Sequence, residues 1–168
     1  SMAHVNTIEA FEVVLDECGF DLNMIAPNGH NVFHAVAKNP GPERLMLFEH
    51  VAKRYRDMYG EAAMVKALNL SPTATSKALK WRCFYELCNF MFRSGLYRRS
   101  KAENLVRAVQ NIELSSPIVI AALSGPIGLL KLMMRLGADP YSRRWDGATV
   151  FEILRDETSC TKGDVLEL

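Results

Sequence analysis

The apolar and polar positions of residues 115–154 predict two short helices, a polar turn and the start of a third helix. An apolar helical pattern begins at Ser116-Pro117, and a second pattern, rich in Leu and Met, follows Gly125 and ends at Gly137. Proline suits the first turn of a helix, and glycine suits the position just after its last residue. The order of these signals predicts a helix–turn–helix unit followed by the first helix of the next unit.

A stretch near the N-terminus has the same order of signals. Asn28-Gly29 matches Asp146-Gly147, a tight-turn dipeptide that lies 118 residues further on. Residues 31–34 (Asn-Val-Phe-His) and 149–152 (Thr-Val-Phe-Glu) then open a helix in the same place. The chain is therefore expected to use one structural unit more than once.

These residues resemble the ankyrin repeat. The family's Thr-Pro-Leu-His positions correspond to residues 116–119, 31–34 and 149–152, and its Gly-Ala-Asp corresponds to residues 137–139. Pro117 and Val150 are 33 residues apart, which is the length of an ankyrin repeat. The small pair Ala121-Ala122 is expected to be buried against a second helix.

The resemblance implies an all-α stack of helix pairs with a divergent middle that bears an insertion. About four repeats would fill residues 3–156, the first and last incomplete, and residues 157–168 would form a tail or cap. It also implies that His34 is structural, with its ring bonded to backbone. Between the two matched units, one further repeat plus an insertion of roughly nineteen residues would fit.

The middle of the chain, residues 59–114, departs most from this pattern. Residues 77–93 predict one long helix with most of its aromatic side chains buried. Residues 101–109 would make the next helix, and residues 111–115 the turn that follows it.

Composition indicates an ordinary globular protein. Apolar residues make up 49% of the 168 residues and charged residues 23%, and the net charge of +1 favours neither nucleic acid nor membrane. No apolar run approaches the ~20 residues that span a bilayer, and no signal peptide is evident. The four cysteines show no metal-site spacing, which suggests reduced thiols in an intracellular protein, cytoplasmic or nuclear, with Cys83 and Cys88 buried. No cofactor or metal is expected.

Catalytic motifs are absent from the sequence. It has no phosphate-binding Gly loop, no GxSxG and no HExxH, so we expect no enzymatic activity. Nucleic-acid binding is a less favoured alternative, based on a basic run near Tyr97. The run comprises Arg93, Arg98, Arg99, Lys101 and Arg107, and a second one comprises Arg143, Arg144 and Trp145.

Protein binding is the function that the resemblance implies, through turn tips and a concave face. The candidate partner-binding residues lie in the two turns: Tyr141, Arg143, Arg144, Trp145, Asn28 and His30. Arg and Trp dominate interface energetics, although Trp145 could instead fold back onto the neighbouring turn. The chain would then be an interaction module of a larger protein. The alternative is a structural scaffold that oligomerises through residues 77–92.

Overall fold

The structure is a computed structural model that describes residues 7–72, 79–99 and 103–157. Within these ranges it has nine α-helices and no β-strand, which confirms the predicted all-α class. The helices are α1 Ile8–Glu12, α2 Val32–Lys38, α3 Arg44–Tyr59, α4 Glu61–Leu68, α5 Leu79–Arg93, α6 Glu103–Ala108, α7 Pro117–Ser124, α8 Ile127–Arg135 and α9 Val150–Glu157. One π-helical segment, Val13–Glu17, extends α1, and another, Val109–Glu113, extends α6.

The helices form two rows around one main core. Helices α2, α7 and α9 make the inner row, in which α7 packs against both of its neighbours. Helices α1, α3 and α8 make the outer row, and α3 packs on α2 and on α8. Ala121 and Ala122 on α7 are buried, as predicted. Their small side chains let the flanking helices approach α7 closely, because a larger side chain there would overfill the core.

The two matched turns share one hydrogen-bond pattern. Ala26 N donates to the carbonyl oxygen of His30 at 2.8 Å, and 118 residues later Arg144 N donates to that of Ala148 at 2.9 Å. An Asx bond supports each turn as well: His30 N donates to the Asn28 side chain, and Ala148 N donates to that of Asp146. The resemblance between these turns in sequence is therefore also one of backbone geometry.

The helices that follow the two turns begin with the same reciprocal cap. The Asn31 side chain accepts from His34 N, and the His34 ring lies 3.3 Å from Asn31 N. In α9, Thr149 and Glu152 make the equivalent pair, with Thr149 N donating to Glu152 Oε2 at 2.7 Å. Each cap satisfies backbone N–H groups that a helix start would otherwise leave unpaired.

Within residues 59–72, 79–99 and 103–114, no helix pair lies between the two matched units, although the prediction places one further repeat there. Helix α2 packs directly against α7, so the chain leaves the two rows of helices after α3 and rejoins them at α7. The spacing in sequence allowed an additional repeat, but the apolar faces of α2 and α7 bury each other instead.

Helix α4, which follows α3 in the chain, and Asn69 at its end form hydrogen bonds with both matched units. The Asn31 side-chain amide donates to the Ala67 carbonyl oxygen at 2.7 Å. Asn69 donates to the Gly137 carbonyl oxygen at 3.0 Å and accepts from Asp139 N at 2.7 Å. Asn31 and Asn69 thus supply partners for backbone groups at helix ends and turns.

Residues 79–113, described as 79–99 and 103–113, are called the covering segment below. Its helix α5 is continuous over 15 residues, as predicted, although residues 77 and 78 lie outside the described ranges. The segment has its own small core, which consists of Tyr85, Cys88, Val106 and Val109.

The prediction that most aromatics of this helix are buried is wrong. Of the α5 aromatics only Tyr85 is buried, and Phe90 is 60% exposed. Cys83 is exposed too, and only Cys88 fits the expectation for the pair. The cause is that α5 buries one face, against α6 and the π-helical segment that follows it.

One local prediction also needs correction. Residues 111–115 do not form a turn throughout, because the π-helical segment continues to Glu113. Ser116 precedes α7 in extended conformation, yet its hydroxyl makes no capping bond. The predicted tail lies outside the described residues from position 158 onward, as does Cys160.

Candidate functional site

The six candidate residues fall into two groups, one on each turn. Asn28 and His30 lie on the first turn, which precedes α2. Tyr141, Arg143, Arg144 and Trp145 lie on the second turn, which precedes α9. The covering segment contacts both turns, through Asn28 and His30 on the first and Trp145 on the second.

The covering segment makes polar contacts to the first turn. Tyr85 donates its hydroxyl proton to the Asn28 carbonyl oxygen at 2.9 Å. The Asn28 side-chain amide donates to Glu113 Oε2 at 3.3 Å, and His30 Nε2 lies 3.0 Å from the Glu113 carbonyl oxygen. His30 is only 8% exposed. Of the two candidates on this turn, His30 is buried and Asn28 is half-buried.

A polar cluster lies under this contact. Lys38 Nζ is 2.7 Å from Glu113 Oε1 and 3.2 Å from His30 Nδ1. Because an ammonium group donates, His30 Nδ1 accepts, and the ring proton is placed on Nε2, which donates to Glu113. The His30 ring stacks on the His34 ring with centroids 4.7 Å apart. Glu113 thus links the covering segment to α2 and to the turn before it.

Burial controls the protonation of this cluster. It lowers the pKa of His34 well below its ordinary value, and the charges of His30 and Lys38 act in the same direction. Burial and Lys38 also lower the pKa of His30, although Glu113 opposes them. Burial raises the pKa of Tyr85 to about 12, with the Glu113 charge contributing. At neutral pH both imidazoles are therefore neutral.

The protonation of Glu113 depends on its partners. Burial alone would raise the pKa of this carboxyl group, but the hydrogen bond and charge of Lys38, followed by His30 and Asn28, lower it overall. Burial lowers the pKa of Lys38, against the attraction of Glu113. The pair is a partly buried ion pair at neutral pH.

The second turn contacts the covering segment through Trp145. Its ring lies edge-on to that of Phe92, with centroids 3.9 Å apart, and its Nε1 donates to Asn111 Oδ1 at 2.9 Å. Trp145 does fold back, but onto the covering segment rather than onto the neighbouring turn. Asn111 and Glu113 belong to the same π-helical segment, which therefore touches both turns.

Of the four candidates on the second turn, Tyr141 and Arg143 are exposed, whereas Arg144 and Trp145 are half-buried. Tyr141 is 71% exposed, and its N–H is bonded to Asp139 at 2.9 Å. Arg143 donates to the Gly147 carbonyl oxygen at 2.7 Å. Arg144 is held differently: its guanidinium makes a close ion pair with Asp146, at 2.6 Å. Tyr141 and Arg143 thus project from a backbone fixed by several hydrogen bonds.

Several residues that shape this surface were missed in the sequence. Glu113 and Asn111 fall in a stretch that was interpreted as a turn, so no role was assigned to them. Tyr85 and Phe92 were noted only as members of an aromatic-rich helix. Their partners lie more than 50 residues away in sequence, and no local pattern reports such a contact.

Other kinds of site are not evident in the described residues. Within residues 7–72, 79–99 and 103–157, no three or more His, Cys, Asp or Glu side chains lie where they could hold a metal ion. In the same ranges no helix is both long enough and apolar enough to cross a bilayer. An open groove between α3 and α8 has a volume of about 590 Å³ and is lined by Leu45, Glu49, Gly128, Lys131 and Met134, among others.

Neither the protein-family models nor the curated proteins with which the chain was compared provide a match.

Acidification should destabilise the fold through His30 and His34. Both rings have a lower pKa in the folded chain than the 6.5 of an unperturbed histidine. The unfolded chain then binds more protons, so stability is fully present above about pH 6.5 and is lost as the pH falls below it. We expect the Tm to fall by several degrees between about pH 7.5 and 5.5.

Thermal unfolding of the wild type and of a His30→Gln, His34→Gln variant checks this. The variant should be less stable at neutral pH, because a buried cap is altered, but its Tm should change little over the same pH interval. An equally steep decline in the variant would assign the pH dependence to other groups.

Proposed function

We propose that this chain is a protein-binding domain built as an ankyrin-like stack of helix pairs. Two features support the repeat architecture. One is the recurrence of the same turn and the same helix cap after 118 residues. The other is the row in which α2, α7 and α9 lie side by side. In this proposal the covering segment is an insertion into the stack and not one of its repeats.

The exposure of Tyr141 is the observation that carries the proposed binding role. A tyrosine that is 71% exposed offers a large aromatic contact area, and its backbone N–H is already fixed by Asp139. Arg143 beside it adds a cation that can pair with a carboxylate of the partner. We therefore propose the Tyr141–Arg143 surface as the primary contact with another protein, with binding and not catalysis as the function.

The remaining candidate residues take supporting roles in this proposal. Trp145 holds the second turn against Phe92, and Arg144 holds Asp146. Asn28 and His30 bind the covering segment at the first turn. A rigid turn favours binding, because fewer conformations are lost when the partner docks.

Variants of the two exposed residues test the proposal. Proteins captured by the immobilised domain from an extract of its source cells are quantified for the wild type and for a Tyr141→Ala, Arg143→Ala variant. A captured protein is then purified, and its affinity is measured. We expect the double variant to bind at least about tenfold more weakly, which corresponds to about 1.4 kcal/mol.

The matched control is Met58→Ala on α3, which also removes an exposed side chain (51% exposed) but lies on another helix. Helicity and Tm should be close to wild type in both variants. Equal affinity of the double variant and the wild type would show that the Tyr141–Arg143 surface is not the binding site.

A further inference from the structure

Helix α5 has two apolar faces. Its inner face carries Tyr85 and Cys88, both buried, and Phe92, which contacts Trp145. Its outer face carries a second apolar set, called the α5 stripe below: Leu79, Cys83, Leu87 and Phe90. These positions follow the spacing i, i+4, i+8 and i+11, so they line one side of the helix over about 16 Å.

All four side chains of the α5 stripe are exposed. Leu79 is 72%, Leu87 54% and Phe90 60% exposed, and Cys83 is exposed as well. Single exposed apolar side chains are common on protein surfaces, whereas a contiguous row of large ones marks an interaction site. The spacing suits a second helix, which contacts its neighbour through positions three and four residues apart.

The charges beside the α5 stripe indicate the chemistry of that second helix. By their helical positions Arg82, Glu86 and Arg93 lie along one edge of the stripe, and Lys80 lies along the other. All four are exposed, so the borders carry three positive charges against one negative charge. Charges that flank an apolar seam select partners of opposite sign and repel those of the same sign.

We propose that the α5 stripe binds an amphipathic helix of another protein, with an apolar seam bordered by Glu or Asp. A second copy of this chain fits less well, because pairing two α5 helices would bring their basic borders together. An anionic membrane shares part of the chemistry, but the stripe is one side chain wide, narrower than the broad apolar face that inserts among lipids. This surface is separate from Tyr141 and Arg143, so either site can fail without the other.

The probe is a designed fluorescent helical peptide of about 20 residues, with Leu along one seam and Glu on both borders. Its binding to the full chain is followed by fluorescence anisotropy. A matched peptide carries Lys in place of every Glu. We expect the Glu peptide to bind at least about tenfold more tightly than the Lys peptide at low salt, and the difference to shrink as salt is added.

Two variants of the chain locate the binding. Leu87→Glu, Phe90→Glu should weaken binding of the Glu peptide by at least about tenfold, and both side chains are exposed, so the fold should persist. Met58→Glu on α3 and Tyr141→Ala should leave the affinity unchanged. A third variant, which combines Lys80→Glu, Arg82→Glu and Arg93→Glu, should reverse the preference and bind the Lys peptide more tightly.

The proposal is overturned if the chain does not bind the Glu peptide, or binds both peptides with equal affinity. It is also overturned if sedimentation shows a dimer of the wild type and a monomer of the Leu87→Glu, Phe90→Glu double variant. The stripe would then bind a second copy of this chain. Binding of vesicles containing phosphatidylserine through the same two residues, without peptide binding, would assign the stripe to membranes.

Discussion

Replacing Gly29 with Ala will destabilise the protein by about 2–5 kcal/mol. Gly29 has a φ of +88°, a conformation that side chains with a Cβ rarely adopt. A Cβ on Gly29 would also lie 2.3 Å from the carbonyl oxygen of Pro72. That oxygen belongs to the backbone, so the clash can be relieved only by moving the chain that follows α4.

Gly147 provides a matched control for this variant. It occupies the equivalent place in the second turn and has the same φ of +88°, but a Cβ there would meet no atom within 4 Å. Gly147→Ala should therefore cost only the conformational strain, about 1–2 kcal/mol. Urea unfolding of both variants measures the difference. Equal losses would mean that Pro72 does not lie against the first turn.

Replacing Glu113 with Ala will cost about 3 kcal/mol, because it leaves a partly buried cation without its counter-ion. Lys38 and Glu113 have side chains only 26% and 30% exposed, and Asn28 also donates to this carboxylate. The loss should be concentrated in the covering segment. Amide exchange should therefore accelerate in α5 and in Val109–Glu113 more than in α7.

Glu103→Ala is the corresponding control, because Glu103 is also an acidic residue of the covering segment with a basic partner. It pairs with Arg107 on the same helix, and the two side chains are 40% and 52% exposed. Removing such a pair changes stability by no more than about 0.5 kcal/mol. A similar loss in both variants, measured by urea unfolding, would argue against Glu113 as the link between the segment and the stack.

Local features of the fold could be predicted because neighbouring residues produce them. Thr7 caps α1 through Ala10 N, Pro117 begins α7, and Gly137 ends its helix with a φ of +94°. Each of these effects depends on side chains and backbone within a few positions of one another. The same holds for the two turns, whose dipeptides specify the backbone conformation directly.

The sequence predicted where the candidate residues lie along the chain, but not which other side chains surround them. Tyr141 lies on a projecting turn, as its flanking Asp139-Pro140 and Asp146-Gly147 indicated, and it is exposed. His30 lies on the equivalent turn and is buried, because Glu113 and Lys38 surround it. The exposure of a turn residue therefore depends on its contacts with the covering segment, which no local sequence pattern reports.

The sequence by itself determined the helical class, the two matched turns and their caps, since these follow from short-range backbone preferences. Only the tertiary structure decided that α2 packs on α7 and that the covering segment lies over the turns. Such contacts join residues up to 85 positions apart. They depend on which apolar faces and polar groups fit together once helices have formed, and the spacing along the chain does not encode that fit.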